Sequence, residues 1–123
     1  MLAALFDPDN LLGLWLASLL LTLAVEVPLY AVAARGRVKP LRAALAGAAG
    51  TLVTHPLLWF VWPSLVGDDY TTYLVSGELL VLVAEGLIFW GLARPVGLGR
   101  SFVASLVANG ASWAVGALLW AVL

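Results

Sequence analysis

The sequence predicts an all-α integral membrane protein, with four transmembrane helices in a compact bundle and both termini on the outer side. Three observations carry that prediction. Of 123 residues, 63% are hydrophobic and 11% charged. A soluble domain carries about 25% charged residues, so there are too few polar side chains here to coat a globule in water. Four stretches, 11–34, 41–62, 73–93 and 101–123, each supply the roughly 20 apolar residues that a helix needs to cross hydrocarbon. Finally, the six basic residues all fall on one side of the path these stretches describe.

The punctuation between the stretches agrees with this reading. Asp7-Pro8 offers the first helix a cap and a first-turn proline. Arg35-Gly36-Arg37-Val38-Lys39-Pro40 reads as a tight basic turn, and 63–72 as a polar connection containing Gly67-Asp68-Asp69. Arg94-Pro95 through Gly99-Arg100 closes the third helix and opens the fourth. The whole of 1–123 reads as one four-helix domain, with no soluble domain or low-complexity tract. Ala31-Val32-Ala33 has the spacing of a signal-peptide cleavage site. The lead-in carries Asp7 and Asp9 where a signal peptide carries positive charge, so the first stretch reads as an uncleaved helix.

Orientation follows from charge. Arg35, Arg37, Lys39, Arg42, Arg94 and Arg100 lie in or beside the first and third connections, and the opposite side carries Asp7, Asp9, Asp68 and Asp69. Cytoplasmic loops collect Lys and Arg, which places 35–42 and 94–100 in the cytoplasm of a cell membrane, the inner membrane where there are two. So one-sided a bias also speaks against dual topology. Trp15, Trp59, Trp62, Tyr70, Tyr73 and Trp120 form one interfacial belt toward the outer ends, Trp90 marks the inner edge, and Trp113 reads as a packing residue.

Each stretch carries one polar stripe at helical spacing. In the first it is Ser18, Thr22, Glu26 and Tyr30; in the second, Gly47, Thr51, His55 and Trp59 with Thr54 beside them. The third carries Glu78 and Glu85, two turns apart, and the fourth Ser101, Ser105, Asn109, Ser112 and Gly116. Polar groups facing lipid are costly, so the stripes point inward or toward a neighbouring subunit. Position along each stretch puts His55 and Glu78 in the outer half, Thr51 and Glu85 near the middle, and Glu26 and Asn109 at the middle or slightly inward. The serines and glycines of these stripes read mainly as helix contacts.

The glutamates differ, because an intramembrane carboxylate costs a few kcal/mol even on low estimates. No Arg or Lys lies in the interior of any span to pair with them. They must be protonated and hydrogen-bonded, ionised against a charged His55, or holding a cation. Pro28 follows Glu26 and Pro56 follows His55, so backbone carbonyls left unpaired by proline stand beside both ionisable groups. His55, Glu78 and Glu85 form an admissible divalent-cation ligand set by residue type, although no metal-spacing motif is present. The chain has no cysteine, no nucleophile elbow, no Gly-rich phosphate loop and no net basic charge to suggest nucleic acid.

The expected function is therefore a small transporter or channel subunit that conducts or exchanges protons or cations. Glu26, Thr51, His55, Glu78, Glu85 and Asn109 would line its path. So thin a bundle, with the lipid bilayer as its solvent, predicts a homo-oligomer. The alternatives are an accessory subunit whose glutamates only specify helix packing, and an intramembrane enzyme acting on lipid through His55 and a glutamate. The topology is open to accessible-cysteine labelling in intact cells: Asp68→Cys should react from outside and Arg37→Cys only after the cytoplasm is opened. Reversal at either position would overturn the orientation.

Overall fold

The computed structural model describes residues 9–122. Four helices within them are long and apolar enough to cross a membrane: α1 (Leu11–Ala33), α2 (Pro40–Val66), α3 (Tyr70–Leu92) and α4 (Leu98–Val122). Together they suggest a membrane protein. The Asp7-Pro8 cap and Leu123 lie outside the described residues. The first turn of α1 is capped by Asn10, whose Oδ1 accepts the Gly13 N–H at 3.0 Å.

The largest departure from the sequence reading is in α2, which runs through Pro56 and Pro63 where a connection was expected from residue 63. After regular helix over Pro40–Pro56 the chain makes a π turn, Leu57–Val61, and resumes as Trp62–Val66. In the π turn the Trp62 N–H reaches back to the Leu57 carbonyl, and Pro63 has no N–H to give. The Leu58 carbonyl is thus left without a partner in its own helix. Tyr73 of α3 supplies one, its phenol donating to Leu58 O at 3.0 Å. A second tie beside it, Trp62 Nε1–H to Ser76 Oγ at 3.1 Å, joins the same two helices.

The link to α3 is correspondingly short. Gly67 takes φ 91°, a left-handed conformation open to glycine, and ends α2. Asp69 precedes α3, and the Thr72 hydroxyl donates to its Oδ2 at 2.5 Å, holding that exposed carboxyl below its usual range. At the other end of the molecule a short 3-10 turn, Arg94–Val96, leads into α4, which begins three residues before the expected position. Ser101 there donates back to the Gly97 carbonyl at 2.7 Å.

Around the bundle each helix packs on its two neighbours in sequence, and α4 closes the ring against α1. Packing is uneven along the axis. Near the basic connections Tyr30 and Phe89 lie ring against ring at 4.6 Å, surrounded by Ala34, Ala43, Ala46, Ala93, Ala104 and Ala108. Small residues let the backbones approach here. A Cβ on Gly47 would sit 2.8 Å from the Tyr30 ring, so the glycine is the space that the tyrosine fills. Arg42 Nε donates to the Leu92 carbonyl at 3.0 Å, and Arg94 lies over the Trp90 ring at 4.6 Å. Toward the acidic connection packing thins out. No residue of α2 after His55, and none of α4 after Asn109, is buried among the described residues. Trp113, expected to pack, is 54% exposed.

This asymmetry makes a prediction about two glycines. Gly47→Ala should destabilise the bundle by about 1–3 kcal/mol through overpacking against Tyr30. At Gly110 a Cβ would meet nothing within 4 Å, so Gly110→Ala should be neutral or up to about 1 kcal/mol stabilising. Unfolding of both variants in mixed detergent measures the difference; equal effects would contradict the packing described.

Candidate functional site

The polar stripes meet on the bundle axis at one level. Glu26 precedes the end of α1 by as many residues as Glu85 precedes the end of α3. The small depth difference expected between them is therefore absent. Both carboxyl groups are buried, as are Thr51 and Thr54. Gly50 makes room for Glu85, since a Cβ there would stand 3.2 Å from the Glu85 Cγ.

Thr51 joins the two acids. Its Oγ1 lies 2.6 Å from Glu26 Oε2 and 3.1 Å from Glu85 Oε1, with the Gly47 carbonyl at 3.4 Å. The outer oxygens are also served. Ser112 donates to Glu26 Oε1 at 2.9 Å, Thr54 to Glu85 Oε2 at 3.2 Å, and the Tyr30 phenol approaches Glu85 Oε1 at 3.4 Å. All four helices thus contribute to one network, and no Lys or Arg among the described residues takes part in it.

The proton count matters. A threonine hydroxyl has one hydrogen to donate and lone pairs to accept with. Between two ionised carboxylates it would satisfy one and turn a lone pair toward the other. When one carboxyl carries a proton, that carboxyl donates to Thr51 and Thr51 donates to the second. The alternative arrangement places the proton on the other acid and turns the Thr51 hydrogen the opposite way. Among hydrogen bonds in a low-dielectric interior such a chain is cooperative.

Glu26, Thr51, Glu85 and Asn109 form the floor of a cavity of about 740 Å³. On each helix the lining stops at one of these residues, and the Tyr30–Phe89 core closes the bundle beyond them. In the other direction the walls run past Ser18 and Trp59 to Tyr70 and Trp120, which are 71% and 75% exposed. The cavity is therefore open at the acidic-connection end and shut at the basic one. No protein-family model, curated protein or solved structure matches the chain. What the site can do must be read from its own chemistry.

The remaining expected residues are placed differently. His55 lines the cavity, but its Nε2 pairs with Ser18 Oγ at 3.1 Å, and its ring lies between Trp15 (6.1 Å) and Trp59 (5.8 Å). Its Nδ1 is buried without a partner among the described residues. It forms no ion pair with a described glutamate. Glu78 is half-buried on the cavity wall with no hydrogen bond to a described residue. Asn109 turns back on its own helix, its amide donating to Ser105 O at 2.9 Å and Oγ at 3.2 Å. The ligand set of His55, Glu78 and Glu85 does not assemble: among the described residues no three of His, Cys, Asp and Glu converge to hold a metal. The physical reason is local, since Glu85 is engaged by Thr51 and Thr54 and His55 by Ser18. Tyr30, Thr54 and Ser112, read from sequence as stripe residues, are direct partners of the acids. Their signal was spacing: Tyr30 lies one turn from Glu26, and Thr54 one turn from Thr51.

Thr51→Val preserves shape and removes the bridging hydroxyl. It should cost about 1–3 kcal/mol, the penalty of leaving buried polar groups unpaired. Thr22 lines the same cavity without a hydrogen bond to a described residue, so Thr22→Val should change stability by less than about 0.5 kcal/mol. Comparable losses from the two changes, measured by unfolding in detergent, would deny Thr51 its bridging role.

Proposed function

We propose that this protein is a small multi-pass membrane transporter or channel subunit that moves protons or cations through its glutamate-lined interior. The observation that carries this reading is the Thr51 hydroxyl between two carboxyl groups on the floor of a one-ended cavity. Transfer across it needs no large motion. The Glu26 O–H bond breaks as that proton passes to Thr51 Oγ1, while the hydrogen already on Thr51 passes to Glu85. Reversal returns it. A cation arriving from the cavity would take the place of the proton against the same oxygens, the proton leaving by the same mouth, and transport is completed when the Tyr30–Phe89 end opens and the cation leaves there. The closed Tyr30–Phe89 end favours exchange over free conduction, because a continuous path would require that end to open.

In this reading 35–42 and 94–100 face the cytoplasm, following the distribution of basic residues, and the cavity opens to the outside. Assembly into a homo-oligomer is part of the proposal. The competing reading, an accessory subunit held together by these acids, has one observation in its favour: each carboxyl oxygen of Glu26 and Glu85 already has a hydroxyl neighbour.

Glutamine keeps the shape and the hydrogen-bonding capacity of glutamate but cannot exchange a proton. Glu26→Gln and Glu85→Gln should therefore assemble normally and lose most proton or cation flux in reconstituted vesicles, whereas Thr51→Ser should retain it. Wild-type flux in both glutamine variants would leave only the packing role.

A further inference from the structure

A second cavity, about 370 Å³, lies between α3 and α4. Its walls are mostly Leu and Val from the two helices, and Leu79 and Leu106 there are 59% and 58% exposed. It thus faces the outer surface of the bundle at membrane depth. It adjoins the central cavity, because Leu74, Glu78, Asn109 and Trp113 line both. Gly110 leaves the gap between the helices unfilled, with nothing within 4 Å of where its Cβ would be. A polar cavity and an apolar cleft thus lie side by side, with Glu78 in the wall of each.

Glu78 stands at the junction. It is half-buried, makes no hydrogen bond to a described residue, and shares the lining of the central cavity with Tyr73 and Trp113. A carboxylate in a cavity that also carries aromatic rings suits an organic ammonium group, and a Leu- and Val-lined cleft accepts a hydrocarbon tail. We propose that the cleft between α3 and α4 admits amphiphilic organic cations from the bilayer, with Glu78 receiving the charged head and the cleft the tail. This rests on the transport reading and names its substrate class. A second copy of the chain is the other candidate occupant, and charge argues against it. All six basic residues lie in or beside the two basic connections, so a second copy has no cation to offer Glu78 at this depth.

The test uses the full chain in lipid nanodiscs, with empty nanodiscs as background and free aqueous ligand as the concentration scale. The probes are tetramethylammonium, octyltrimethylammonium and octyl sulfate. The octyl cation should bind at least about tenfold more tightly than tetramethylammonium, because its tail leaves water, and octyl sulfate should not bind. Glu78→Gln should weaken the octyl cation about tenfold or more, and Gly110→Leu should erase the preference for a tail. Equal affinity for the two cations, binding of octyl sulfate, or indifference to Glu78→Gln would overturn the proposal. So would a Gly110→Leu variant that lowers the copy number per disc while keeping the tail preference, since the cleft would then be a subunit interface. The two readings separate cleanly. Loss of flux in Glu85→Gln without a tail preference in the wild type removes the binding cleft alone. A tail preference with unchanged flux in Glu85→Gln keeps the binding cleft and removes transport.

Discussion

One hydroxyl hydrogen has to serve two carboxyl groups at the centre of this bundle, and much of the structure can be understood as the arrangement that makes this possible. Glu26 and Glu85 come from opposite helices of the ring, so they meet only if α1 and α3 are held at the same level. Thr51 reaches both because α2 lies between those helices, and Gly50, one residue earlier, leaves room for the Glu85 side chain. Ser112 completes the circuit from α4. A charged pair without a cationic partner would be costly in an apolar interior. One proton between them would leave a single negative charge and remove the repulsion of two, with the hydroxyls of Thr51, Thr54 and Ser112 as the donors around it.

The two ends of the bundle are built differently for related reasons. Alanine and glycine near the basic connections allow close backbone approach, and the one large pair there, Tyr30 and Phe89, fills the remaining space. Tightly packed helices are a barrier to water and ions. At the acidic end α2 carries two prolines, Trp and Tyr side chains line the walls, and the helices stand apart around the cavity. Irregular backbone is tolerated at membrane depth where it is buried or lines a cavity. The π turn at Leu57–Val61, with its spare carbonyl taken by Tyr73, fits that rule. Closure at one end and openness at the other is the geometry that an exchange mechanism would use in one of its states.

Much of this was legible in the sequence because hydrophobic length and four-residue spacing are local properties. The four helices, the stripe membership of Glu26, Thr51 and Glu85, and the absence of an interior Lys or Arg all follow from counting along the chain. Pairing was not legible in the same way. Whether His55 faces Glu78 or Ser18 depends on how two helices rotate against each other, and the structure chooses Ser18. Asn109 looked like a partner for the acids, but a short amide can satisfy itself on its own helix, and it does. The extension of α2 beyond Pro63 was hidden for a different reason. A proline ordinarily ends a helix, and here its consequence is absorbed by a phenol ten residues further along the chain.

The central claim is that a single proton is shared across Glu26, Thr51 and Glu85. Infrared difference spectroscopy detects it directly, through the carbonyl stretch of a protonated carboxyl group. A shared proton gives a band with the intensity of one carboxyl. That band should shift in Thr51→Val, where its hydrogen-bond partner is gone, and disappear in the Glu26→Gln/Glu85→Gln double variant. A wild-type spectrum from which the double variant removes no such band would mean that both groups are ionised, and would contradict the claim.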